Sequence, residues 1–144
     1  MKREILFVQQ ISLKADNFYS DGERFGKWAK LAFGNSRSQI RGLESIANSS
    51  LKVADILDYI KKQTGKQKAR EQWRKLQGNQ EFGPALLNFI SDSLRTKRDE
   101  VCVVISALPN QAVVDELEKQ RIFLALIREF IRQVSAQYEL EVTS

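Results

Sequence analysis

Histidine is absent from this 144-residue chain, and cysteine, methionine and proline are scarce, with one Cys, one Met and two Pro. The lack of histidine removes the side chain most used for general acid–base chemistry near neutral pH, which is also the commonest metal ligand. One cysteine and no histidine exclude the ordinary zinc sites, and Cys102 alone cannot close an intrachain disulfide. No Walker-type glycine-rich loop and no Gly-x-Ser-x-Gly elbow occurs. The longest apolar run, Val101 to Leu108 and broken only by Ser106, is far below the ~20 residues of a membrane span. The start Met-Lys-Arg-Glu leads into no signal-length apolar stretch, so a cytoplasmic protein with no membrane contact is expected.

Hydrophobic residues make up 42% and charged residues 28%, which argues against wholesale disorder. The length favours one domain over residues 1–144. Two prolines and seven glycines leave few interruptions, which favours long helices over many short strands. The expectation is an all-α protein, a compact bundle of five to six helices.

The net charge of +5 is unevenly spread. Residues 1–80 hold 16 Lys and Arg against 8 Asp and Glu, whereas residues 81–144 hold 7 against 10. Such asymmetry fits a basic surface meeting an anion and a more acidic part meeting protein, a second copy included. It also fits a lopsided but merely solvated surface.

Along the chain, residues 2 to about 19 carry Ile5, Leu6, Val8, Ile11, Leu13 and Phe18, helical throughout or extended at the start. Asp21 is placed to cap a second helix through Phe33, with Phe25, Trp28, Ala29, Ala32 and Phe33 as its apolar stripe and Gly34 as its terminator. Ser36 and Gln39 have capping-box spacing, so a third helix should start there. Its seam Leu43, Ile46, Ser50, Val53, Leu57 and Ile60 carries it to Thr64. Lys66 to Gln77 reads as a short basic helix stopped by Gly78. Phe82 to about Lys97 follows, with Pro84 in its first turn, where no hydrogen bond is lost.

Val101 to Ile105 is β-branched enough for a strand, but a lone strand has no partner. It reads as the end of a buried helix or as an apolar connection, halted by Leu108-Pro109. A final helix from Asn110 to about Tyr138 carries Val113, Leu117, Gln120, Leu124, Ile127, Ile131, Val134 and Tyr138, flanked by Phe123, Leu126 and Phe130. This wide face suits a central core helix or a coiled-coil-like subunit contact.

Carboxylates cluster at Asp55 with Asp58, Asp99 with Glu100, and Asp115 with Glu116 and Glu118. Such pairs bind Mg²⁺ in phosphoryl chemistry, but on amphipathic helices they read first as solvated charges, and the last set suits a helix N-terminus. No catalytic residue, metal or cofactor is expected. Cys102 reads as a buried, inert thiol.

The cations are more telling. Lys61, Lys62, Lys66, Lys68, Arg70 and Arg74 lie in a fifteen-residue stretch ending at Lys75 that contains one acid. Cation density of this kind lowers the cost of approaching a phosphate chain and releases counterions. Trp73 within it could stack on a base, but docking onto the core is the favoured reading. Arg24, Lys27 and Lys30 recur every three residues on the second helix, and Arg37 and Arg41 lie one turn apart on the third. No helix-turn-helix, ribonucleoprotein motif or zinc finger accompanies them, so phosphate contact insensitive to base sequence is the expectation.

The start Ser38-Gln39-Ile40-Arg41, together with Ile127-Arg128-Glu129-Phe130-Ile131-Arg132-Gln133-Val134-Ser135-Ala136-Gln137-Tyr138, resembles the small subunit of type III (Csm-like) CRISPR effector complexes. In this chain the acid precedes Phe130 and no histidine follows the tyrosine, which departs from that family's pattern. The resemblance implies a non-catalytic helical subunit, stacked in several copies within a ribonucleoprotein and touching target RNA, guide RNA or both through phosphates and sugars. Arg37 and Arg41 carry over by motif, and Lys61, Lys62, Lys66, Lys68, Arg70 and Arg74 by charge. Two other readings compete: a helical adaptor or regulator that binds protein through the 113–138 stripe, and a small dimeric nucleic-acid-binding protein acting alone.

Overall fold

The apolar-rich stretch Ile122 to Val134 becomes the middle of the chain's longest helix, and the other helices are laid around it. The computed structural model describes residues 2–66 and 70–144, with the side chain of Arg70 also outside the description. In order come α1 (Arg3–Asn17), α2 (Tyr19–Phe33), α3 (Ser38–Ser49), α4 (Val53–Gly65), α5 (Arg70–Trp73), β1 (Leu76–Gln77), β2 (Gln80–Glu81), α6 (Phe82–Asn88), a π-helical segment (Phe89–Leu94), α7 (Arg95–Ser106) and α8 (Glu116–Thr143). The fold is all-α, with one antiparallel two-residue ladder pairing Leu76 with Glu81 and Gln77 with Gln80.

The wide apolar face of α8 packs against α1, α2, α3 and α7. Ile122, Phe123, Leu124, Leu126, Ile127, Phe130, Ile131, Val134 and Tyr138 are all buried. Most of the 113–138 stripe is therefore core, while Val113 and Leu117 at its start are exposed. The helix begins at Glu116 and not near Asn110, because Asp115 and Glu118 close a capping box: each side chain accepts from the other's backbone N–H, at 2.8 and 3.2 Å.

Helix α2 packs closest to α8. Gly22 and Gly26 face it, and a Cβ on Gly26 would stand 2.7 Å from the carbonyl oxygen of Val134, a backbone atom that cannot swing away. Phe18 interrupts the chain between α1 and α2 by turning inward, where its ring meets Phe130 edge-on at 5.9 Å. From there aromatic contacts run on. Phe89 stacks on Phe130 at 4.5 Å, Phe25 bridges Phe130 and Trp28, and Phe82 joins Trp28, Phe33 and Trp73.

Further expectations are revised: α2 begins at Tyr19, ahead of Asp21, and no side chain caps it. The third helix breaks at residues 50–52, so its seam is divided between α3 and α4. The cause is remote: Arg128 donates from Nε to the Ala47 carbonyl at 2.8 Å and from Nη2 to that of Ser50 at 2.9 Å, occupying carbonyls that a continuing helix would use. The basic helix expected over 66–77 is helical at Arg70–Trp73 and then turns into the hairpin, with Gly78 at φ +64° in the turn; residues 67–69 lie outside the description. The helix from Phe82 does not stop near Lys97 but continues through the widened π turn to Ser106, so Val101 to Ile105 is helix, with Val101 and Ile105 buried. Among the described residues no helix is long and apolar enough to cross a membrane.

Candidate nucleic-acid interface

The start of α3 is built differently from the capping box its sequence spells. The residue before its first turn is Arg37, and no side chain caps it. Ser36 meets the hydroxyl of Ser38 at 3.3 Å instead. Gln39 turns its Oε1 to the indole Nε1 of Trp73 at 2.9 Å. Trp73 is fully buried among Phe33, Tyr59 and Phe82, so it docks α5 and presents no ring for base stacking.

Arg37 reaches across to the end of α8. Its Nε lies 2.9 Å from both carboxylate oxygens of Glu139, and Nη2 lies 2.7 Å from one of them. That hydrogen bonding holds the Glu139 carboxyl below the ordinary carboxylate range, against a smaller opposing effect of desolvation, and Arg41 adds to the positive field there. The Arg37 guanidinium is shifted up by the same contact. Beside it Tyr138 donates from its hydroxyl to the Gly34 carbonyl at 2.8 Å, tying the turn between α2 and α3 to α8.

The same pattern recurs elsewhere. Arg3 pairs with Glu118 at 2.6 Å and Lys14 with Glu100 at 3.2 Å, and across the hairpin Arg74 pairs with Glu81 at 3.0 Å. Each of these pairs, like Arg37 with Glu139, joins a cation of the basic first part of the chain to an acid of the second. Part of the charge asymmetry is therefore spent inside the fold. Arg74 is further tied down by donating to the Thr64 carbonyl at 3.2 Å. Arg24 faces Asp21 at 3.6 Å and lies over the Phe25 ring at 4.4 Å, and Lys30 bonds Asn35.

What remains is a smaller set. Lys2, Lys27, Arg41, Lys52, Lys61, Lys62, Lys66, Lys75, Arg95 and Arg121 are exposed and have no ion-pair partner among the described residues. Lys61, Lys62 and Lys66 belong to the C-terminal end of α4, where cations also suit the helix dipole. The Tyr59 hydroxyl packs against Gly42, so Arg41 and the Tyr59, Lys62 and Lys66 ridge sit on adjoining helices where α3 and α4 approach. Lys75 comes alongside α2 through the Trp28 indole, which donates to its carbonyl at 2.9 Å. Lys68 and the Arg70 side chain lie outside the described residues.

The carboxylate pairs are dispersed. Asp55 and Asp58 are exposed on α4, Asp99 pairs with Arg98 at 2.7 Å, and Glu118 belongs to the α8 cap. Among the described residues no three acids or thiols gather to hold a metal ion. Cys102 is half-buried, not buried as expected, and burial pushes its thiol up, though Lys119 from α8 and Arg98 one turn earlier on α7 pull the other way.

Sequence reasoning missed Glu139 as the partner of Arg37, the pairing of Glu118 with Arg3, and the role of Arg128 at the end of α3. A signal existed for the acids, since a basic first half followed by an acidic second half invites pairing between them. No protein-family model, curated protein or solved structure matches the chain.

Proposed function

We propose that this chain is a non-catalytic small subunit of a type III CRISPR effector ribonucleoprotein in the cytoplasm, stacking in several copies and touching target or guide RNA through phosphates. The carrying observation is that four exposed cations without an ion-pair partner among the described residues, Arg41 on α3 with Lys61, Lys62 and Lys66 at the end of α4, belong to two helices that pack together. Lys68 and Arg70 follow them in sequence, and Arg37 and Arg74 stand at the edges, each already holding a carboxylate. Phosphate contact through such groups is strong at low salt and indifferent to base identity. The resemblance of the Ser38 to Arg41 start and of the Ile127 to Tyr138 segment supplies the identity of the assembly.

The test is binding of a single-stranded RNA by the purified chain at about 50 mM and about 200 mM salt; neutralising about four phosphates would cost about 50-fold over that range. Lys61→Glu/Lys62→Glu, folded by circular dichroism, should lose most of the low-salt affinity. Absence of binding by the wild type at low salt would overturn RNA contact by the free chain and move a protein adaptor to first place.

A further inference from the structure

We infer that Glu139 is a built-in competitor for RNA phosphate, holding Arg37 in an autoinhibitory clasp that RNA must open. The inference rests on the RNA reading above and specifies how one residue of that surface is regulated. Three observations carry it. First, the contact has the geometry by which a guanidinium takes an oxyanion: Nε lies 2.9 Å from both carboxylate oxygens, with Nη2 at 2.7 Å, so the side-on Nε/Nη2 edge, one of the two edges that bind a phosphate with two donors, is occupied. Second, both side chains are accessible, at 34% for Arg37 and 51% for Glu139, so an incoming anion reaches the pair without unpacking the core. Third, the turn that presents Arg37 is held independently, by the Tyr138 hydroxyl on the Gly34 carbonyl. Opening the clasp therefore requires a side-chain exchange alone, and Arg41, one turn further on, already contributes to the field at Glu139.

An exposed ion pair of this kind is weak, so the competition it imposes is modest: releasing Arg37 should tighten RNA binding about two- to five-fold. Removal of any carboxylate adds positive charge and strengthens RNA binding generally. The control is Glu141→Gln, which makes the same charge change two residues away, at a carboxylate that accepts from Gln137 and has no ion-pair partner among the described residues.

The experiment measures affinity for an oligouridylate at low salt by fluorescence anisotropy for the wild type, Glu139→Gln, Glu141→Gln, and both changes in an Arg37→Gln background. The expected result is that Glu139→Gln binds about two- to five-fold tighter than Glu141→Gln and that this margin vanishes without Arg37. Salt-sensitive binding by the wild type with Glu139→Gln and Glu141→Gln indistinguishable overturns the clasp and leaves the proposed function standing. Absence of binding by every folded variant overturns the RNA reading and the clasp with it. Should Glu139→Gln fail to fold, the Arg37 Nε–Hε resonance of the wild type decides: its displacement by saturating oligouridylate supports exchange of partners, and its immobility overturns it.

Discussion

Trp73 donates from its indole Nε1 to Oε1 of Gln39 at 2.9 Å, a bond spanning 34 residues that fastens α5 against the first turn of α3. The ring itself is fully buried between Phe33, Tyr59 and Phe82. Trp73→Ala should therefore cost about 3–5 kcal/mol in urea unfolding, the range for truncating a large buried aromatic. Gln39→Ala leaves a buried N–H without an acceptor and should cost about 1–3 kcal/mol. A Trp73→Ala variant as stable as the wild type would show that the ring is not part of the core.

Arg128 ends α3 from 78 residues away by donating to the carbonyls of Ala47 and Ser50. Arg128→Ala should destabilise by about 1.5–3 kcal/mol, the usual worth of hydrogen bonds to a charged group. Lys should restore little of this, because a single ammonium cannot span both carbonyls as the guanidinium fork does. Hydrogen exchange localises the effect: protection should fall at the end of α3 before it falls in the middle of α8.

Glu118 links the cap of α8 to α1 and should make stability depend on pH. Its carboxyl is held below the ordinary range first by the hydrogen bond from Arg3 and also by the Asp115 backbone N–H, with desolvation opposing. A carboxyl with a depressed folded-state pKa binds more protons unfolded than folded, so its contribution is present above the unfolded value, about 4.3, and is lost as pH falls through the folded one. Glu139, lowered by Arg37, acts in the same direction. Thermal melts from neutral pH to about pH 3 should show a falling midpoint. Glu118→Gln should lower the midpoint at neutral pH and flatten that dependence, and an unchanged slope in the variant would remove Glu118 as its source.

The helix content was legible because its signals are local. The periodic apolar positions of α2 and α8, the sparse proline, and Gly34, which ends α2 at φ +58°, all act within a few residues. The two-residue ladder around Gly78 and the π turn at Phe89–Leu94 were not, since each is too short to carry a period of its own. The cation-rich stretch was visible as composition, but composition did not separate Arg37 and Arg74, which hold carboxylates, from Arg41, Lys61, Lys62 and Lys66, which hold none among the described residues.

The sequence by itself determined an all-α chain, a wide apolar face on its last helix and the excess of cations in its first part, because hydrophobic period, backbone propensity and charge are properties of neighbouring residues; that most of this face is core was decided by the structure. Tertiary structure alone decided where α3 stops, what Gln39 bonds and which cations remain available. Those outcomes depend on Arg128, Trp73 and Glu139, residues 34 to 102 positions away from their partners. A capping residue chooses between its own backbone and a buried indole by which is closer once the helices are packed, and a guanidinium chooses its carboxylate in the same way.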